Sequence, residues 1–258
     1  MGGIPPRLIS WTVFRGNGDR VGAGKVSDDN MSLAAIGLYS VNRGPALLVI
    51  LAGAAWAQPP KLDPLPLALP KPLFEGTPRN LKVPNLEKMS DKPRPAFLAP
   101  SGTANVARGK PVTSSVLDPA VGDLEMITDG DKSGLDGTYV ELGPGVQWVG
   151  IDLKQKYTLY AILVWHYHKQ ARVYSDVIVQ VADDPDFLTN VRTIFNNDHD
   201  NAAGMGIGHD LNYVETHEGK LIDAKGTVGR YIRLYSNGND TTALNHYVEV
   251  EAYGIPAK

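Results

Sequence analysis

From residue 146 to 182 the chain reads VQWVGIDLKQKYTLYAILVWHYHKQARVYSDVIVQVA, and no helical period fits it. β-branched and aromatic residues dominate, the types that suit a pleated, half-buried surface. Three strands are expected, over residues 146–153, 158–166 and 175–182, with breaks at Lys154-Gln155-Lys156 and at a polar tip, residues 166–174. In the middle strand Ile162, Val164 and His166 share one face, and Ala161, Leu163 and Trp165 share the other. The third strand alternates Val177, Val179 and Val181 with Ile178 and Gln180. Such alternation predicts one face in a core and the other partly wet. A strand run of this kind needs a second sheet to bury it.

Beyond the spine, short strands are expected near 105–108, 112–115, 139–141, 191–195, 213–215, 229–235 and 247–253. Turn chemistry separates them: Asp129-Gly130, Asp136-Gly137, Gly143-Pro144-Gly145, Asn196-Asn197 and Asn237-Gly238. Many short strands in about 155 residues predict an all-β fold, a jelly-roll β-sandwich over residues 101–258.

The residues before it have a different character. Residues 58–100 hold 11 of the 19 prolines. That density excludes helix interiors and central strands and predicts a semi-rigid linker. A second reading packs Leu65, Leu67, Leu69 and Phe74 on the domain as an arm. Residues 31–57 read as a signal peptide: Arg43 is a positive flank, Ala46–Ala54 an apolar run, and Ala55-Trp56-Ala57 a small-x-small cleavage pattern. The run is shorter than the roughly 20 residues of a membrane span. No integral span is therefore expected after cleavage, and an exported protein is: periplasmic, at the cell surface or extracellular. Residues 1–30 show neither period. They are expected to be an unstructured over-extension of the reading frame, with Met31 the true start.

Charge and cysteine content exclude several functions. There is no cysteine, hence no disulfide, thiolate zinc site or covalent haem. Residues 101–258 carry 13 Lys/Arg against 21 Asp/Glu, and residues 58–100 carry 7 against 4. An acidic domain argues against nucleic acid or anionic lipid as partner and suits cations or neutral ligands.

In order, NVARGKPVTSS, ITDGDKSG, QWVGIDL, GRYIRLYSN and VEVEAYG resemble the discoidin domain, the coagulation factor 5/8 type C domain of the galactose-binding-like superfamily. The resemblance covers about residues 103–255. It implies a jelly roll with adjacent termini and ligand-binding loops at one end, the ligands commonly sugars and sometimes phospholipid or protein. Two departures stand out. Leu135-Asp136-Gly137-Thr138-Tyr139 lacks the tryptophan that often follows the family's DG turn, and the insert 196–211 has no counterpart in the pattern.

Three loops carry candidate chemistry. Asp129, Asp131 and Ser133 in the DGD loop can wrap oxygens around a hard cation; the resemblance implies a structural calcium ion there, with Glu249 as the terminal carboxylate and Glu251 second. The other reading is a solvated Asp-Gly turn. At the spine's tip, His166, His168, Arg172 and Tyr174 combine imidazole, guanidinium and an aromatic ring, as a sugar site does; the other reading is surface or satisfied core histidines. His199, and Asn239 with Asn237, Asp240 and Asn245-His246 of the same loop, join this set if their loops fold beside it; the other reading is polar, flexible loops. Asp198, His199 and Asp200 could also ligate a transition metal, or simply build a long loop. The leading functional expectation is a non-catalytic, carbohydrate-binding module with calcium as a structural ion. The alternatives are a metal-dependent hydrolase using His166, His168, His199 and Asp198 or Asp200, and a protein-interaction domain of an envelope assembly. No nucleophile elbow or HExxH helix supports catalysis.

Overall fold

The computed structural model describes residues 8–14, 20–27, 60–74, 81–90 and 92–257, in two units, residues 1–57 and 58–258. In the first unit β1 (Leu8–Phe14) and β2 (Arg20–Ser27) pair antiparallel, from Leu8↔Ser27 to Phe14↔Arg20. This corrects the expectation that residues 1–30 lack structure. Ile9, Trp11, Thr12, Val13 and Phe14 are all strand formers, and backbone pairing needs no alternating pattern. The signal-peptide expectation, residues 31–57, lies outside the described residues.

Among its described residues the second unit is β apart from a single 3-10 turn, Leu124–Thr128. Its strands are β3 (Leu62–Pro64), β4 (Leu98–Pro100), β5 (Ala104–Asn105), β6 (Val112–Ser114), β7 (Val140–Leu142), β8 (Gln147–His166), β9 (Ile178–Ala182), β10 (Arg192–Asn196), β11 (Lys220–Ser236) and β12 (Asn245–Pro256). No helix among the described residues is long and apolar enough to cross a membrane.

Two long strands build the sandwich. The first half of β8 pairs with β6 and with the second half of β11, which also pairs with β9; β10 closes that layer. The second half of β8 pairs with the first half of β11 and with β12, which carries β5 and β7. All these pairs are antiparallel. The expected break at Lys154-Gln155-Lys156 is a bend within a single 20-residue strand. Lys154 sits at φ 73, and its N–H donates to Asp152 Oδ1 at 2.7 Å. Turn residues in a long strand mark a change of direction as readily as an end. Residues 213–215 are buried but not strand, and β11 starts at Lys220 instead.

Between the layers lie Val149, Ile151 and Leu153 of β8, Val179 and Val181 of β9, Ile232 and Leu234 of β11, and Val250 and Ala252 of β12. Tyr253 of β12 pairs with Asn105 of β5, so the two ends of the sandwich are adjacent, as the resemblance implies.

The outer face of the second layer is not wet. Ala161, Leu163, Trp165, Val248 and Tyr253 are buried there beneath Leu65 and Ala99, with Leu67 and Phe97 packed alongside. β3 and β4, both from the proline-rich stretch, pair antiparallel over this face. Arg94 fastens the stretch further along: its Nη1 donates to Gly219 O at 2.7 Å, its Nη2 to Glu218 O at 2.9 Å, and its N–H to the Glu218 carboxylate. Lys220 pairs with Glu87 at 2.6 Å. Over its described length this stretch is therefore a packed arm rather than a free linker. The cause is the unbroken apolar run Ala161–Trp165, which has no polar face to leave in water.

Candidate functional site

The polar tip of β8 meets three other segments at one end of the sandwich: β7, the start of β12, and the loop 237–244. Backbone bonds join the tip to that loop, Ser175 N to Gly238 O at 3.1 Å and Asp240 N to Val173 O at 2.9 Å.

At the mouth of this end sits Arg172, half-buried, its guanidinium 4.5 Å from the Tyr167 ring centroid. Tyr139 meets Tyr167 edge-on at 5.2 Å and His246 at 5.6 Å. His246 Nε2 faces Glu141 Oε2 at 3.3 Å, and its Nδ1 accepts from the Tyr174 hydroxyl at 2.9 Å. Burial, with the nearby Arg172 and His166, pushes the His246 imidazole down to about 4, so it is neutral near pH 7 and Nδ1 is free to accept. Burial raises the Tyr139 hydroxyl above its usual range, with Glu141 adding to it. Lys169 and Asp136 pair at 2.7 Å on the exposed rim. Two Arg172 nitrogens, Nε and Nη1, are sealed from solvent without a partner.

Below the mouth the expected ligand residues form its floor. His166 and Tyr174 are fully buried and stack at 4.3 Å. His166 Nδ1 donates to the equally buried Glu215 Oε1 at 2.6 Å. His168 is fully buried too, and its Nε2 donates to Lys132 O at 3.0 Å. The Cβ of any residue replacing Gly134, which has φ +62, would lie 2.7 Å from that nitrogen. Asn239 spends its amide on its own loop, donating to Thr242 Oγ1 and Leu244 O while accepting from Thr241 N and Thr242 N. His166, His168 and Tyr174 are therefore enclosed within the protein, and Asn239, half-buried, is bonded within its own loop. The pattern that singled them out, histidines two apart on a strand, ignores that β8 ends at His166. Tyr139, Glu141 and Tyr167 carry no such pattern, because they come from separate stretches, while His246 is brought beside Tyr174, His166 and Arg172 as the reading of its loop requires.

His199 lies elsewhere, half-buried in the insert. The insert is a compact loop closed on itself: Asp198 accepts from Ala202 N and Ala203 N, both at 2.9 Å, and Asp210 Oδ2 accepts from Asn196 N at 2.7 Å. Asp176, Asp198 and Asp200 bring carboxylate oxygens within 4.8 Å of one another; among the described residues no other set of three His, Asp or Glu does so. This set contains no histidine, so the hydrolase expectation has no convergent His/Asp site.

The DGD loop stands between the mouth and β12. Asp129 and Asp131 are exposed, and each caps its own turn: Asp129 Oδ1 accepts from Asp131 N at 2.7 Å, Asp131 Oδ1 from Ser133 N at 2.8 Å. Ser133 Oγ lies 3.2 Å from Thr138 Oγ1. Glu249, fully buried, reaches the loop from β12. Its Oε2 accepts from Gly130 N at 3.1 Å while Oε1 is sealed without a partner. Burial pushes this carboxyl up to about 9. Neighbouring Glu251 is satisfied, by Lys132 Nζ at 2.7 Å and the Tyr253 hydroxyl at 2.9 Å. Gly130, at φ +91, holds a backbone conformation that would strain any other residue.

No family model and no curated protein matches the chain. Solved structures similar to it include a family 89 glycoside hydrolase from Clostridium perfringens, at 20% identity and TM-score 0.44, covering 59% of this chain and 15% of that one. A chitosan-binding module 1 from a chitosanase/glucanase of Paenibacillus sp. IK-5 is 20% identical with TM-score 0.39, covering 58% of this chain and 98% of that module. A Streptococcus pneumoniae fucose binding module is 20% identical with TM-score 0.42, covering 59% and 98%. The chain spans about 15% of the length of the glycoside hydrolase.

Proposed function

We propose that residues 58–258 are a non-catalytic carbohydrate-binding module whose ligand sits at the mouth formed by Tyr139, Glu141, Tyr167, Arg172 and His246. Arg172 carries the reading: a half-buried guanidinium laid on the Tyr167 ring, with two nitrogens that have no partner. A buried, unsatisfied donor costs about 1–3 kcal/mol, so a guanidinium with two of them gains by turning toward a hydroxyl that enters the mouth. A pyranose offers hydroxyls that accept from Arg172 and donate to Glu141, and a C–H face that packs on Tyr139. Nothing in this set needs to move a proton.

A calcium ion fits the DGD loop on one observation, the sealed and unpartnered Oε1 of Glu249. Glu249, Asp129 and loop carbonyls would hold it. The chemistry it supplies is charge neutralisation that ties the loop to β12, setting the height of one wall of the mouth. With the export signal expected in residues 31–57, the module would work outside the cytoplasm.

The test is a glycan array followed by calorimetric titration of the full chain and of Arg172→Ala. Wild type should bind at least one glycan class, and the variant should bind it about tenfold or more weakly with an unchanged melting temperature. Binding to no glycan overturns the reading, and capture of a protein in its place favours the interaction-domain alternative.

A further inference from the structure

A second cleft, of about 320 Å³, opens on the outer face of the other layer. Val149 and Ile151 point into the core, so their neighbours Trp148, Gly150 and Asp152 point out, beside Tyr231 and Arg233 of β11. Arg233 lies between two aromatic rings, 4.3 Å from that of Trp148 and 4.1 Å from that of Phe187. Phe187 reaches it from a turn at φ +58, a conformation that bulky residues rarely adopt. The turn is held by one carboxylate, Asp184, which accepts from the N–H groups of Asp186, Leu188 and Thr189. This turn places the Phe187 ring over the Arg233 guanidinium.

The charges around Arg233 do not balance. Arg230 grips Asp152 with both arms, at 2.8 and 3.0 Å, and Lys154 lies 3.3 Å from the same carboxylate. Asp183 is taken by Lys156 at 2.9 Å, and Asp184 is spent on its turn. Arg233 donates Nη2 to Pro185 O at 2.8 Å, and its Nε is sealed without a partner. Among the described residues it has no carboxylate partner. A planar guanidinium clamped in orientation is the group that recognises a carboxylate. Gly150 leaves the cleft floor bare: a Cβ there would lie 3.1 Å from the Thr113 hydroxyl.

We infer that this cleft binds an acidic polysaccharide, Arg233 taking the carboxylate of one uronate residue while the sugar ring lies over Gly150 against Thr113 and Tyr231. An acidic peptide fits less well. Extended peptides add to open sheet edges, and here β8 and β11 are interior strands whose backbone groups are paired with β6, with each other and with β9.

Titration of the full chain with oligogalacturonate, a neutral galactan oligosaccharide and polyglutamate tests this. Wild type should bind oligogalacturonate, with affinity falling as salt rises. Arg233→Lys, which keeps the charge but loses the planar fork, should weaken it at least tenfold, as should Phe187→Ala, while Arg172→Ala leaves it unchanged. Loss through Arg172→Ala alone would place the uronate at the mouth and overturn this inference without touching the module reading. Equal affinity for polyglutamate, equal binding by wild type and Arg233→Lys, or no binding of the uronate oligomer would also overturn it.

Discussion

Single residues divide here by how far they are enclosed rather than by chemical type. His166 and His168 have the chemistry of a site, yet both are sealed, one on Glu215 and the other on a backbone carbonyl. Each keeps one buried ring nitrogen without a partner, as Arg172 and Glu249 keep buried atoms without partners, and of the four only Arg172 is half-buried rather than fully enclosed. Glu249→Gln tests the calcium proposal. Wild type should lose several degrees of melting temperature on chelation, about 2–3 kcal/mol for an ion present at 100 times its dissociation constant, and the variant should lose none. Calorimetry with and without chelator reads this, and an identical chelator effect on both would sink the proposal. His246 supplies a pH prediction. Its native value, about 4, lies below the usual 6.5, so between those limits the unfolded chain binds the extra proton. Stability should therefore rise from pH 4 to 6.5, and His246→Gln should flatten the rise by on the order of 1 kcal/mol once solvent screening at the mouth is allowed for. Urea midpoints across that range decide it.

At the scale of elements, the instructive cases are β8 and the arm. Lys154-Gln155-Lys156 looked like a gap between strands, because charge and a turn-forming carboxylate precede them. They are a bend, and a local pattern cannot tell a bend from an end when the pairing partner β11 bends with it. The arm was legible only as an alternative. Proline density signals extended chain, which suits both a tether and a strap, and the choice rests on whether an apolar face elsewhere needs covering. Ala161, Leu163 and Trp165 need it. Leu65→Ala should accordingly cost about 2–4 kcal/mol, measured by urea unfolding; a cost under about 0.5 kcal/mol would mean that the arm lies on the sheet without stabilising it.

For the molecule as a whole, the arm moves the boundary of the folded unit. A chain begun at residue 101 would expose the outer face around Trp165, an apolar patch that drives association. It should aggregate or melt well below a chain begun at residue 58, as light scattering and calorimetry would show; equal behaviour of the two would restore the linker reading. Composition and strand periodicity were enough to identify an all-β sandwich and the alternation of faces along β8 and β9. These are local properties, because side-chain alternation and turn residues act over a few positions along the chain. Which tip residues face solvent, which face Glu215, and what covers the second face of β8 are set by strands far apart in sequence. Tyr139, Tyr167, Arg172 and His246 become neighbours only when β7, β8 and β12 pair. No spacing along the chain encodes that, since it follows from the register in which His246 meets Glu141 and Tyr247 meets His166.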